Sequence, residues 1–225
     1  MKLGLLRTFA TTVQPTVQAL RNVIEMASFL EITKTLRKVD LCKPEYNGLL
    51  HFAVGCGRLD ATSFILDSGV DVDQRHTEME DATKSPGMGP TPSFIAAMAS
   101  QPHILELLLK RGGNPDLACT LLPADIYHTN ITPLHEAAVV GDTEVGKVLF
   151  KHGAKPNPQT QAGEVPLLHA CWKGHAYMMD LLLDHGADPT IPSTDGKNHT
   201  ALTFIKENRL LEYRYKTRVL EKDYE

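Results

Sequence analysis

Thr132-Pro133-Leu134-His135-Glu136-Ala137-Ala138-Val139-Val140-Gly141-Asp142 is the stretch that decides the fold. Thr can cap a helix and Pro suits its first turn, where a missing N–H costs nothing. A pair of alanines lets a neighbouring helix approach closely, and Gly141 sits where a left-handed residue would end the helix. A second apolar run follows and closes on Val148-Leu149-Phe150-Lys151-His152-Gly153-Ala154. The whole reads as two short antiparallel helices.

The pattern returns. Val165 stands 33 residues after Thr132, and its copy runs through Val165-Pro166-Leu167-Leu168, Ala170-Cys171, Gly174-His175 and Leu181-Leu182-Leu183-Asp184-His185-Gly186. Upstream, Thr91-Pro92-Ser93-Phe94 leads to Ala96-Ala97 and Leu107-Leu108-Leu109-Lys110-Arg111-Gly112. Further back, Gly48-Leu49-Leu50-His51 leads to Ala53-Val54, Gly57-Arg58 and Phe64-Ile65-Leu66-Asp67-Ser68-Gly69. A degraded copy begins at Asn198-His199-Thr200-Ala201-Leu202. In the Thr91 copy Ser100 replaces the glycine that ends the first helix, so a distorted turn is expected there.

These copies resemble the ankyrin repeat, with its T-P-L-H-x-A-A-x-x-G signature and L-L-x-x-G-A ending. The match covers about residues 46 to 208. A period near 33 residues is the mark of such stacks. Each unit alone cannot bury its apolar face, and stacking creates one continuous core. The resemblance implies an all-α solenoid of paired antiparallel helices with hairpin-like fingers, about four full repeats between helical caps. The expected division is a cap over 1–45, repeats over 46–73, 91–116, 131–159 and 160–193, finger insertions over 74–90 and 117–130, and a degenerate repeat with a C-terminal cap over 194–225.

The period is irregular. Gly48 to Thr91 spans 43 residues and Thr91 to Thr132 spans 41, so two fingers are enlarged. The first insertion is polar and punctuated by Gly and Pro, as a surface loop should be. The second, Leu117 to Asn130, is more apolar. Insertions of this kind fall on one edge of a stack, often the binding edge.

The resemblance also implies where a partner would touch. The two residues before the glycine of the first helix face the concave groove, which here means Gly55-Cys56, Met98-Ala99, Val139-Val140 and Trp172-Lys173. The expected partner-binding residues are therefore Cys56, Met98, Ala99, Val139, Val140, Trp172 and Lys173. An exposed apolar stripe needs a reason, and Trp, here the only one in the chain, is a frequent interface anchor. Asn157, eight residues after Leu149, resembles ankyrin asparagines that become hydroxylated, although the usual finger hydrogen bond is the preferred account of it.

Composition excludes several other classes. The 225 residues carry a formal charge of −4, with no clustered basic face for nucleic acid. No apolar run approaches the ~20 residues a bilayer span requires. The four cysteines are widely spaced, so reduced thiols and a cytoplasmic or nuclear setting are expected. Met1 to Val13 reads as an amphipathic N-terminus packing on the first unit, in preference to a secretory or mitochondrial leader.

Catalysis finds little footing. Among the ten histidines, His51 and His135 belong to the signature, His152 and His185 precede a helix-ending glycine, and His175 follows one. The others lack ligand spacing, though His128 and His169 could meet on the groove side. No nucleophile elbow or phosphate loop occurs. The expectation is a non-enzymatic interaction protein without metal or cofactor, monomeric until it meets a protein partner. An accessory or inhibitory subunit of an enzyme or assembly is the competing reading.

Overall fold

The computed structural model describes residues 16–43, 46, 48–75, 89–120, 129–194 and 199–222. What builds this fold is a repeated pair of helices too short to stand alone. Helices of seven to nine residues are marginal in water and depend on tertiary packing. The inner helices are α1 (Val17–Met26), α3 (Leu49–Gly55), α5 (Pro92–Met98), α7 (Pro133–Val140), α9 (Pro166–Lys173) and α11 (Ala201–Glu207). Each is followed by an outer helix: α2 (Phe29–Leu36), α4 (Leu59–Asp67), α6 (Pro102–Lys110), α8 (Thr143–Lys151), α10 (Ala176–Asp184) and α12 (Arg209–Lys222). Inner packs on inner and outer on outer along the stack.

The alanine pairs are the seam. Ala96, Ala97, Ala137 and Ala138 are fully buried, as are Ala53 and Ala170 in the flanking units. Leu49, Leu105, Leu108, Leu134, Leu149, Met178, Met179 and Leu182 fill the space between inner and outer layers. One core runs without a break from Leu20 to Leu211.

Helix starts follow the sequence chemistry. Thr91 and Thr200 accept from the backbone N–H three residues on, and Thr132 forms a reciprocal cap with His135. Gly141 takes φ 80° to end α7. Ser100 adopts the same left-handed conformation, with φ 52°. Its turn keeps the bond that defines the others: Gln101 N–H donates to Ala96, as Asp142 does to Ala137 and His175 to Ala170. The expected distortion at Ser100 is therefore absent. The fold tolerates a strained serine because αL costs only ~1–2 kcal/mol per residue.

The segments flanking the clear copies also form stacked helix pairs. Thr16 caps α1, Ser28 and Glu31 form a capping box on α2, and Thr200 caps α11. They lack the signature yet keep its layout. Arg58 fastens the first pair to the second by donating to the carbonyls of Ile24, Glu25 and Ala27 while pairing with Asp60. At the other end Arg214 pairs with Asp180 and lies 4.7 Å over the Tyr177 ring.

The fingers are tied by a row of acceptors. Asp73 accepts from Asn114 N–H, Asp116 from Lys155 N–H, and Asn157 from Asp188 N–H. Asn157 also donates to Gly186, so its side chain has a structural task. The cores of the two insertions, 76–88 of the first and 121–128 of the second, lie outside the described residues, as do Met1 to Pro15 and His128. Their bases are described. Cys119 and Ile131 exchange both backbone hydrogen bonds at 2.8 and 2.9 Å, closing the second finger. Arg75 joins the two finger bases by donating to Gly89 and Ala118.

Candidate partner-binding groove

The inner helices leave one face uncovered by the outer layer, and that face has two rows of side chains. The rim row contains the residues expected from sequence. Met98, Val140 and Trp172 are 48%, 44% and 60% exposed. Cys56, Ala99 and Lys173 are exposed as well, whereas Val139 is half-buried. Lys173 folds its ammonium 5.2 Å over the Trp172 ring. Val139 lends its carbonyl to His175 Nε2 at 3.0 Å, which fixes the α7 end against the next unit.

The floor row lies three and four residues earlier on each helix, hence on the same face. It comprises Phe52, Ile95, Glu136, His169 and Phe204, all half-buried. The residues expected from sequence stop at the rim and omit this row, although the i−3 and i−4 positions of the rim residues locate it. Arg21 reaches over Phe52, with its guanidinium 5.7 Å from the ring centre. His199 meets Phe204 edge-on at 5.5 Å.

The middle of the floor is polar. Burial pushes the Glu136 carboxyl above its usual range, and the neighbouring His169 partly offsets the shift. His169 Nε2 lies 3.3 Å from the Glu164 carboxylate, off the line of a hydrogen bond. Behind it His135 is fully buried. Its Nδ1 accepts from Thr132 N–H at 3.1 Å, which places the proton on Nε2, and Nε2 donates to the Glu164 carbonyl at 3.0 Å. Burial, helped by His169, pulls its pKa down to about 3. The expected approach of His128 to His169 lies outside the described residues.

Thiol chemistry has no support in this groove. Burial and then Glu25 push the Cys56 thiol up, against a smaller opposing effect of Arg58. Burial pushes Cys119 and Cys171 up to about 12. Among the described residues no three His, Cys, Asp or Glu side chains gather as metal ligands. Likewise, no helix among them is long and apolar enough to cross a membrane.

A second recess, on the outer side, lies between α4 and α6 and is lined by Phe29, Leu59, Phe64, His103 and Leu107. Its charges already have partners: Asp60 with Arg58, Asp67 with Arg111, and Glu106 with Lys110 and Lys151. Those pairs hold neighbouring units together and leave the recess little charge with which to orient a ligand.

Paired helices of this period, joined by fingers and leaving one inner-helix face exposed, define a helical repeat protein. Residues 110–193 match the family model of ankyrin repeats, in 3 copies, and the chain is an ankyrin-repeat protein. Ankyrin repeats are a protein–protein interaction fold. Among curated proteins, the chain is 30% identical over 132 residues to human BCL-6 corepressor-like protein 1, a match covering 55% of this chain and 7% of that one. It is 31% identical over 175 residues to human transient receptor potential cation channel subfamily A member 1, covering 76% and 14%. It is 27% identical over 121 residues to glycerophosphocholine phosphodiesterase GDE1 of Candida albicans, covering 54% and 9%. The chain thus spans a small part of each of these relatives.

Proposed function

We propose that this chain is a non-enzymatic adaptor or scaffold that holds a protein partner in its concave groove, with the long fingers adding contacts at one edge. The observation that carries this reading is the exposed apolar rim of Met98, Val140 and Trp172, which a free solenoid has no need to display. The partner-binding residues are Cys56, Met98, Ala99, Val139, Val140, Trp172 and Lys173, with Trp172 as anchor. The chain works as a monomer in the cytoplasm or nucleus until the partner binds. Neither nucleic acid nor a membrane is its target, and it needs no cofactor.

A second reading is an accessory or inhibitory subunit of an enzyme or assembly. It draws on the comparisons: the matched stretch is a minor part of a phosphodiesterase and of a cation channel, 9% and 14% of their lengths. Both readings use the same groove and differ in what the partner does.

Affinity capture with wild type, Trp172→Ala and Val140→Asp, compared by mass spectrometry, tests the groove. Partners retained by wild type and lost by both variants support it, and their identity separates adaptor from accessory subunit. A captured set unchanged by both substitutions, with the fold intact, removes the groove from the account.

A further inference from the structure

The groove floor carries a charge pattern that its apolar rim does not explain. Glu136 lies midway along the floor, between the Ile95 and His169 positions of the adjacent inner helices, and is half-buried. Among the described residues it has no cationic partner beyond the neighbouring His169. Glu164 and His169 face each other with 13% of each side chain exposed, without a hydrogen bond between them. A carboxylate withdrawn from water costs free energy unless a cation or donor compensates it. Other partly buried carboxylates among the described residues have such compensation: Asp60 has Arg58, Asp73 has the Asn114 N–H, Asp180 has Arg214, and Glu106 has two lysines.

The rest of the face has the same sign. Glu25, which acts on Cys56, and Glu207, at the Trp172 position of α11, add negative charge. Among the described residues, Arg21 and Lys173 lie over Phe52 and Trp172 instead of over Glu136, and Arg75 at the finger base donates to Gly89 and Ala118. What remains is an acidic centre bordered by Met98 and Val140 on one side and Trp172 on the other.

We infer that the segment this groove accepts is an apolar stretch carrying a basic residue, whose ammonium or guanidinium sits against Glu136 while its apolar neighbours cover Met98, Val140 and Trp172. The inference rests on the groove reading above. It commits to a basic-apolar peptide as the occupant. Neutral and acidic peptides are the excluded alternatives.

The probe is a library of random peptides displayed on phage and selected against the full chain. Selected peptides are synthesised and titrated into wild type, Glu136→Gln, Trp172→Ala and Val140→Asp, each checked for its fold by thermal melting. Glu136→Gln is close in shape and removes a desolvated charge, so the fold should survive it. The expected result is a lysine or arginine shared by the selected peptides, with affinity about tenfold or more weaker for Glu136→Gln. Replacing that basic residue of the peptide by norleucine should weaken binding to wild type equally and leave no further effect of Glu136→Gln. Peptides that need Trp172 and Val140 but lack a basic residue, or ignore Glu136→Gln, overturn the inference and leave the groove reading standing. Peptides indifferent to Trp172→Ala and Val140→Asp, or a selection yielding no groove-dependent peptide, overturn both.

Discussion

Replacing His135 with leucine probes how neighbouring units are coupled. Leucine fits: Leu168 occupies the corresponding position one unit later and is buried. What the substitution removes is polar. Thr132 N–H loses the acceptor that His135 Nδ1 supplies at 3.1 Å, and the Glu164 carbonyl loses the Nε2 donor at 3.0 Å. The carbonyl keeps the Thr160 N–H, so the orphaned group is mainly the Thr132 amide. With the Thr132 Oγ contact to Nδ1 at 2.9 Å also gone, three polar contacts are lost and the buried Thr132 amide is left unpaired, which comes to about 2–4 kcal/mol near neutral pH.

That gap should depend on pH. His135 is held at about 3 in the folded chain, whereas an unfolded histidine titrates near ~6.5. Its contribution is therefore fully present above about pH 6.5 and is lost as pH falls towards 3, because the unfolded chain takes up the proton first. Linkage puts the loss at about 2 kcal/mol by pH 5 and about 4 kcal/mol by pH 3. The leucine variant has no such group. Urea unfolding followed by circular dichroism, at about pH 7.5 and about pH 5, should show wild type losing about 2 kcal/mol more than His135→Leu. Parallel pH profiles for the two proteins would refute the buried, neutral imidazole.

Three further substitutions test the packing. Gly141→Ala should destabilise by about 2 kcal/mol or more in the same assay, because φ is 80° and an added Cβ would lie 2.7 Å from the His175 ring. Ser100→Gly should stabilise by about 0.5–1 kcal/mol, as glycine adopts φ 52° without the serine's strain. Glu106→Gln should cost about 1 kcal/mol near neutral pH. Lys151 foremost, then Lys110, hold that carboxyl down to about 2, so wild type should lose this advantage as pH falls from about 4.5 towards 2. A Glu106→Gln gap that widens in acid would contradict the assignment.

The repeat was legible because its signals are local. Thr-Pro starts, alanine pairs and helix-ending glycines each act within one turn of helix, and a single sequence records them. The flanking pairs were harder to read as stacked units, since α1 and α11 keep a capping threonine but neither the proline nor the signature. Ser100 misled because a missing glycine looks like a broken turn, while the bond from Gln101 N–H to Ala96 holds the conformation regardless. The exposure of the rim positions was legible from register, apart from half-buried Val139. The groove's polar floor was not, because the environment of Glu136 arises between units and the facing of His169 and Glu164 depends on how the finger turns into α9. The same holds for Arg58, whose three carbonyl acceptors lie 31 to 34 residues away.

The groove itself admits a direct optical test. Trp172 is the only tryptophan and is 60% exposed, so its emission reports on the concave face alone. On titration with a captured partner or a selected peptide, the account predicts a saturable blue shift that tracks the binding isotherm from calorimetry and disappears in Val140→Asp. Tight binding by calorimetry with Trp172 emission unchanged would contradict it.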